Sequence, residues 1–151
     1  QLSHQECELC YERLPFNDDV VLIAVVVPDL DNERNVVTEY LTDTNQELLY
    51  PPTHLHFKCW DSIAEDAYEL FHDAEKGQRK EPLDMLTMCL CEFCKSPIRR
   101  SEPAAWVFLG TLTAERRDSV TMDKIGPGFG VCMDCIQAID VDIIESGSYD
   151  R

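Results

Sequence analysis

The chain has 151 residues, of which 29 are acidic and 13 basic, giving a formal net charge of −16. This charge repels phosphate and argues against a nucleic-acid partner, above all for residues 1–84, where 19 acidic residues outnumber 6 basic ones. No apolar run approaches the roughly 20 residues that span a bilayer, so no membrane partner is expected.

The first motif along the chain is a Cys-x-x-Cys pair formed by Cys7 and Cys10. The segment VVLIAVVVP at 20–28 is apolar and β-branched without alternation, which predicts a strand covered on both faces. PDLDNERN at 28–35 predicts a turn, and VVTEYL at 36–41 predicts the returning strand.

A second ligand pair, His56 and Cys59 in a His-x-x-Cys, is followed at once by a predicted helix over 60–77. Apolar residues recur there at intervals of three and four, as on the buried face of an amphipathic helix. Asp61 in the first turn and Gly77 at the end agree with helix start and stop signals.

The segment GQRKEPLD at 77–84 contains Gly, Pro and mixed charge, and it is the predicted boundary between two modules, 1–80 and 81–151. Directly after it, MLTMCL at 85–90 is compatible with a strand or with a helical turn. The second module then opens on another Cys-x-x-Cys.

This second module repeats the plan of the first. Cys91 and Cys94 begin it, and Cys132 and Cys135 are followed by a helix with Asp134 in its first turn. The predicted elements between and after these pairs are a strand, a turn, a strand, a glycine-rich approach and the helix, at 105–113, 114–119, 120–125, 126–130 and 133–144.

The four ligand pairs predict two structural zinc sites, because two such pairs complete the tetrahedral shell of zinc. Sequential pairing is favoured, since duplication gives each module its own complete site, and a cross-braced pairing stays open. The predicted ligands are, for a site of three cysteines and one histidine, Cys7, Cys10, His56 and Cys59, and, for a site of four cysteines, Cys91, Cys94, Cys132 and Cys135.

Aligning the segments around the last cysteine of each module sets His56 opposite Cys132 and His54 opposite Gly130. His56 is therefore the predicted ligand, and His54 is predicted to be a surface residue or a neighbour of the ligands.

Cys89 has no partner and is predicted to be a buried thiol. Four disulfides are the alternative that an even cysteine number allows, but the spacing is that of metal ligands. Reduced thiols predict a cytoplasmic or nuclear protein.

The order of knuckle, hairpin and helix resembles the treble-clef zinc-finger group, an α+β class of small zinc-stapled modules, here duplicated. CEFCKSPI and GVCMDCIQAI resemble the N-terminal zinc-binding domain of the ClpX unfoldase. The ligand order resembles that of LIM domains, although the helix after Cys59 separates the halves more widely than a LIM domain allows. The resemblance implies a scaffold and no particular activity.

Function follows from closed sites: zinc with four protein ligands has no open position for water, so no enzyme is expected. His72 is interpreted as a solvated helix residue.

The predicted role is an adaptor or regulator that binds another protein. Nucleic-acid binding by the second module, through the pairs Arg99 and Arg100 and Arg116 and Arg117, is one alternative. A cross-braced protein similar to ubiquitin ligases is another.

Overall fold

The computed structural model describes residues 2–46, 52–76, 85–116 and 119–145, and the predicted boundary at 77–84 lies outside them. Strands predominate and two helices accompany them, so the fold mixes both types as predicted. In chain order the described elements are β1 (Leu2–Glu6), β2 (Arg13–Pro15), β3 (Asp19–Leu30), β4 (Val36–Tyr40), β5 (Thr53–His56), α1 (Phe57–Lys76), β6 (Thr87–Leu90), β7 (Pro97–Arg99), β8 (Ala104–Arg116), β9 (Ser119–Val131) and α2 (Met133–Glu145).

A five-stranded sheet with β3 and β8 at its centre contains strands from both halves of the chain. β3 and β8 pair antiparallel from Asp19 opposite Thr111 to Val26 opposite Ala104. On the other edge of β3, β5 pairs with the first part of the strand, Val20–Ile23, and β4 pairs with the last part, Val26–Leu30. β9 pairs with the far edge of β8. Two short hairpins, β1 with β2 and β6 with β7, form separate sheets.

The apolar run in β3 is explained by this central position. Its even-numbered side chains from Val20 to Val26 are at most 5% exposed. On the opposite face Val21 is buried, whereas Ile23 and Val25 are half-buried. The prediction of a strand covered on both faces is therefore confirmed at its first residues, and coverage is more complete on one face than on the other.

Several predicted boundaries are corrected by the structure. α1 begins at Phe57, three residues before the predicted start, so Asp61 lies beyond its first turn. This early start places the second ligand pair at the helix N-terminus. The ambiguous segment before the second knuckle is the strand β6. β8 continues to Arg116 and β9 runs from Ser119 through the glycine-rich segment to Val131, because cross-strand pairing extends the hairpin at both ends.

The first helix packs against the second knuckle. Phe93 lies between the two cysteines of that knuckle, is 2% exposed, and has its ring centroid 6.1 Å from Trp60 and 4.9 Å from Tyr68. The Tyr68 hydroxyl donates to the Glu92 carboxylate. Burial, with the adjacent negative charge of Glu92, raises the pKa of Tyr68 to about 12. These contacts join the two halves on the helix side of the sheet.

A salt bridge also connects the halves, since Arg100 Nε donates to the Asp29 carboxylate at 2.9 Å. The N–H of Leu30 and the guanidinium of Arg100 both lower the pKa of Asp29. A depressed carboxyl pKa contributes stability above the unfolded-state pKa and loses it as the pH falls through the folded-state pKa. We expect Arg100→Gln to raise the pKa of Asp29 towards its ordinary value, measured by NMR titration of the carboxyl carbon.

Arg99→Gln is the matched control for this prediction, because Arg99 is adjacent in the chain, whereas the salt bridge to Asp29 is formed by Arg100. It should leave the pKa of Asp29 unchanged. An Asp29 titration that is identical in Arg100→Gln and in the wild type would show that the salt bridge has no effect in solution.

Candidate metal centres

The first centre brings together four side chains from three places in the chain. Cys7 follows β1, Cys10 lies in the turn before β2, His56 ends β5 and Cys59 lies in the first turn of α1. Their ligand atoms all lie within 4.8 Å of one another. His56 Nδ1 is 3.3 Å from the Cys10 sulfur and 4.0 Å from the Cys59 sulfur. This group could hold one metal ion.

The imidazole of His56 is oriented by the backbone. Its Nε2 lies 3.2 Å from the carbonyl oxygen of Arg13, and a carbonyl only accepts hydrogen bonds, so Nε2 carries the proton. Nδ1 then presents its lone pair to the sulfur atoms. Metal-binding histidines are held by such a bond on the second nitrogen. His54 is outside the group, as predicted, and burial lowers its pKa.

The second centre is formed by four cysteines, Cys91, Cys94, Cys132 and Cys135, whose sulfur atoms also lie within 4.8 Å of one another. The sulfurs of Cys94 and Cys132 are 3.6 Å apart. The N–H of Cys132 donates to the Cys91 sulfur at 3.3 Å, which supports a thiolate there. Cys89 is half-buried on β6 and does not belong to the group.

The turns that carry the first cysteine pair of each centre have the same backbone hydrogen bonds. The N–H of Cys7 donates to the Glu12 carbonyl at 2.8 Å, and the N–H of Cys91 donates to the Ser96 carbonyl at 2.8 Å. The residue after each second cysteine has φ of +63°, a left-handed conformation that tightens the turn; these residues are Tyr11 and Lys95. Each turn therefore directs two sulfurs to one point.

Each turn is also hydrogen-bonded to the strand that ends at, or immediately before, the next ligand. The N–H of Glu8 donates to the His54 carbonyl at 3.0 Å, and the N–H of Glu92 donates to the Gly130 carbonyl at 3.0 Å. These bonds align the knuckle with the end of β5 in one centre and of β9 in the other. The helix that follows immediately then brings in the last ligand.

The spacing and chemistry of both groups suit a metal ion. A tetrahedral shell with metal–sulfur bonds of about 2.3 Å separates neighbouring sulfurs by roughly 3.8 Å, close to the 3.6 Å between Cys94 and Cys132. Burial opposes ionisation of Cys7, but N–H groups, chiefly that of Cys10, lower its pKa to about 7. Burial and the charge of Cys7 raise the pKa of Cys59 to about 12. A bound cation would offset the repulsion between these thiolates, so that all of them could be ionised together.

The pairing of the ligand groups is sequential. The first pair shares a centre with the second, and the third with the fourth, so the cross-braced alternative does not describe this structure. All eight cysteines are free thiols. The 3.6 Å between Cys94 and Cys132 far exceeds a disulfide bond of about 2.05 Å, which argues against the disulfide alternative.

Among the described residues, the backbones of Arg99 and Arg116 lie at opposite ends of β8. Arg99 ends β7, next to the start of β8, and Arg116 ends β8, so roughly 40 Å of extended strand separates them at about 3.3 Å per residue. Arg100 is already bonded to Asp29, and Arg117 lies outside the described residues.

An apolar cavity of about 320 Å³ lies between the start of α1 and β9, with Trp60, Phe57 and Phe129 among its lining residues. None of the side chains lining it titrates, so it provides no general acid or base. The His72 side chain lies outside the described part of the structure.

Comparison with protein-family models, with curated proteins and with solved structures finds no match for this chain. Among the described residues, neither helix is both long enough and apolar enough to cross a membrane.

Proposed function

We propose that this chain is an intracellular, non-enzymatic zinc protein, an adaptor or regulator that acts by binding another protein. The observation that carries the proposal is the pair of four-ligand centres, each placed where a knuckle, a strand end and a helix start meet. A metal bound there fastens these elements to one another. Its role is then to stabilise the surface that binds a partner.

Zinc is the metal that this ligand chemistry favours. Three thiolates with one imidazole, and four thiolates, are the ligand sets of structural zinc sites. Soft sulfur ligands select against magnesium and calcium, which prefer oxygen. With four protein ligands no coordination position is left for a reactive water, so we assign both ions a structural role. Reduced thiols support a cytoplasmic or nuclear location.

The proposed architecture is a duplicated treble-clef-like module. It is supported by hydrogen bonds that recur in the second half, where donor and acceptor both stand 84 residues later in the chain. The bond from Cys7 to Glu12, for example, corresponds to the bond from Cys91 to Ser96. Besides the bonds in the turns, the N–H of Asn17 donates to Leu112 at 3.0 Å, and the N–H of Ser101 donates to Pro28 at 2.9 Å. In one bond the first half donates and the second half accepts, and in the other bond the direction is reversed. Two copies related by a two-fold axis require such a reciprocal pair.

The binding role is supported by what surrounds the centres. The surface is strongly acidic, which favours a cationic partner over a nucleic acid. The separation of Arg99 from Arg116 along β8 also favours a protein partner over a nucleic acid. The apolar cavity has no titratable lining group, so it offers apolar contact area without a general acid or base.

The proposal is tested by isolating a partner with the zinc-loaded chain as bait and reconstituting the complex from purified components. We expect a one-to-one complex that forms with zinc-loaded protein and is lost after chelation. The matched variants are Cys91→Ser, which removes a ligand and should abolish binding, and Cys89→Ser, which leaves the ligand set intact and should retain it.

Turnover of any substrate by purified zinc-loaded protein, lost on changing a residue that is not a ligand, would contradict the non-enzymatic assignment. A complex that forms equally well with metal-free protein would contradict the structural role of zinc. Native mass spectrometry of the bait, with two zinc ions per chain expected, accompanies each measurement.

A further inference from the structure

One edge of the central sheet ends in β4, which has no strand on its outer side within the described residues. This short strand carries three large apolar side chains that are 41–42% exposed, Val36, Val37 and Tyr40. Exposed edge strands offer unpaired backbone donors and acceptors, and they commonly bind a further strand unless they are protected.

The pairing register determines which backbone groups of β4 point outward. The N–H of Leu41 donates to the Val25 carbonyl at 3.2 Å. Hydrogen-bonded pairs alternate with non-bonded pairs in an antiparallel ladder, so Glu39 is the next residue bonded to β3. Thr38 is opposite Pro28, which has no N–H to contribute. The N–H and C=O groups directed outward are therefore those of Val36, Thr38 and Tyr40.

The side chains at this edge continue the core of the sheet. Tyr40 is paired with Val26, which is 1% exposed. Val36, Thr38 and Tyr40 share one face of the strand, so a new strand beside them would extend the apolar layer that contains Val26. Such a strand would gain backbone hydrogen bonds and cross-strand packing together.

Charge identifies the kind of strand that fits. Residues 31–43 contain four acidic residues and one basic residue, and Glu33 and Glu39 within this segment are exposed. A second copy of the chain would join two proteins that each have a net charge of −16. It would also place two copies of Glu39 as diagonal neighbours on one face when the strands are centred at Thr38. A cationic strand avoids both the repulsion between the net charges and the repulsion between the Glu39 side chains.

We propose that the β4 edge binds an extended, cationic segment of a partner protein, which adds a strand to the sheet. The segment would alternate apolar residues with Lys or Arg, and would bond the outward backbone groups at Val36, Thr38 and Tyr40. This inference rests on the proposed adaptor function and names the chemistry of its partner.

The test uses the intact zinc-loaded chain and a fluorescent peptide of nine alternating Lys and Val residues, with binding followed by anisotropy at low salt. Thr38→Pro removes one outward N–H and fills the free edge without removing a bond to β3, and we expect it to weaken binding at least about tenfold. Thr38→Val retains the N–H and should bind as the wild type does. Glu33→Gln with Glu39→Gln should weaken binding, as should added salt.

Zinc content and circular dichroism establish that each variant is folded. If Thr38→Pro does not fold, the wild type alone still decides: bound peptide should slow hydrogen exchange at Val36, Thr38 and Tyr40, and a peptide with N-methylated amides should not bind.

Equal affinity of Thr38→Pro and Thr38→Val, or no binding by the wild type, overturns the proposal. Dimerisation of the wild type that Thr38→Pro abolishes also overturns it and assigns the edge to a second copy. A reconstituted partner that binds Thr38→Pro and Thr38→Val equally refutes this edge while leaving the adaptor function in place, whereas the absence of any partner refutes the adaptor function.

Discussion

Removing the metal with a chelator is expected to unfold both halves of this chain. A metal ion at each centre would connect a knuckle to a strand end and a helix N-terminus, in addition to the hydrogen bonds and ring contacts of the knuckles. Metal binding in small modules of this kind contributes about 10–16 kcal/mol to folding per site, which is as large as the whole stability of an ordinary domain. Circular dichroism during titration with chelator measures the loss, and native mass spectrometry measures the metal.

Two cysteines in the same strand region provide the control for this prediction. Cys91 belongs to the second centre and Cys89, two residues earlier, does not. Cys91→Ser should lose one metal ion per chain and the folded signals of the second half. Cys89→Ser should retain two ions and the wild-type spectrum. A chelated wild-type protein that keeps its full spectrum would show that packing alone maintains the fold.

Phe93→Ala is expected to produce the largest loss of stability among substitutions that leave the ligands unchanged. Its ring is 2% exposed and contacts the rings of Trp60 and Tyr68 from the other half. Truncating a buried phenylalanine removes transfer free energy and leaves a cavity, so we expect a loss of about 3–5 kcal/mol. Urea denaturation of zinc-loaded protein, followed by tryptophan fluorescence, gives the free energy of unfolding.

Phe57→Ala is the matched control, because Phe57 is 43% exposed. Its truncation should cost about 1 kcal/mol or less. Zinc content must be the same in both variants, so that a change at the knuckle is separated from loss of metal. Equal losses for the two substitutions would mean that the contact between the first helix and the second knuckle does not stabilise the chain.

The residues that form the two candidate metal centres were predictable because their pattern is local. A Cys-x-x-Cys turn places two sulfurs at one point through bonds between residues five or fewer positions apart, so the spacing alone predicts a ligand pair. His56 was distinguishable from His54 because one of the two aligns with a ligand of the other half. The strands β3 and β4 and both helices were predicted for a similar reason, since apolar period and turn residues act within a few positions.

The short strands of the knuckle hairpins were missed. β1, β2 and β7 have three to five residues each, with too few positions to establish a period. The extension of β8 and β9 was missed as well. Polar residues at the hairpin tip have the composition of a turn, yet pairing of Glu115 with Val120 continues the ladder there. Backbone pairing within the hairpin, and not the residue types at its tip, determines where these two strands end.

The residues that can bind metal, the pairs in which they occur, and the alternation of knuckles, strands and helices all follow from the amino-acid order alone. The pairing of β3 with β8 in one sheet, the packing of Phe93 on the first helix, and the distance between Arg99 and Arg116 become visible only in the folded chain. The physical reason is that ligand spacing depends on neighbours in the chain. Sheet pairing and core packing depend on which apolar faces meet after the chain has folded, and two similar halves could bury those faces separately or against each other.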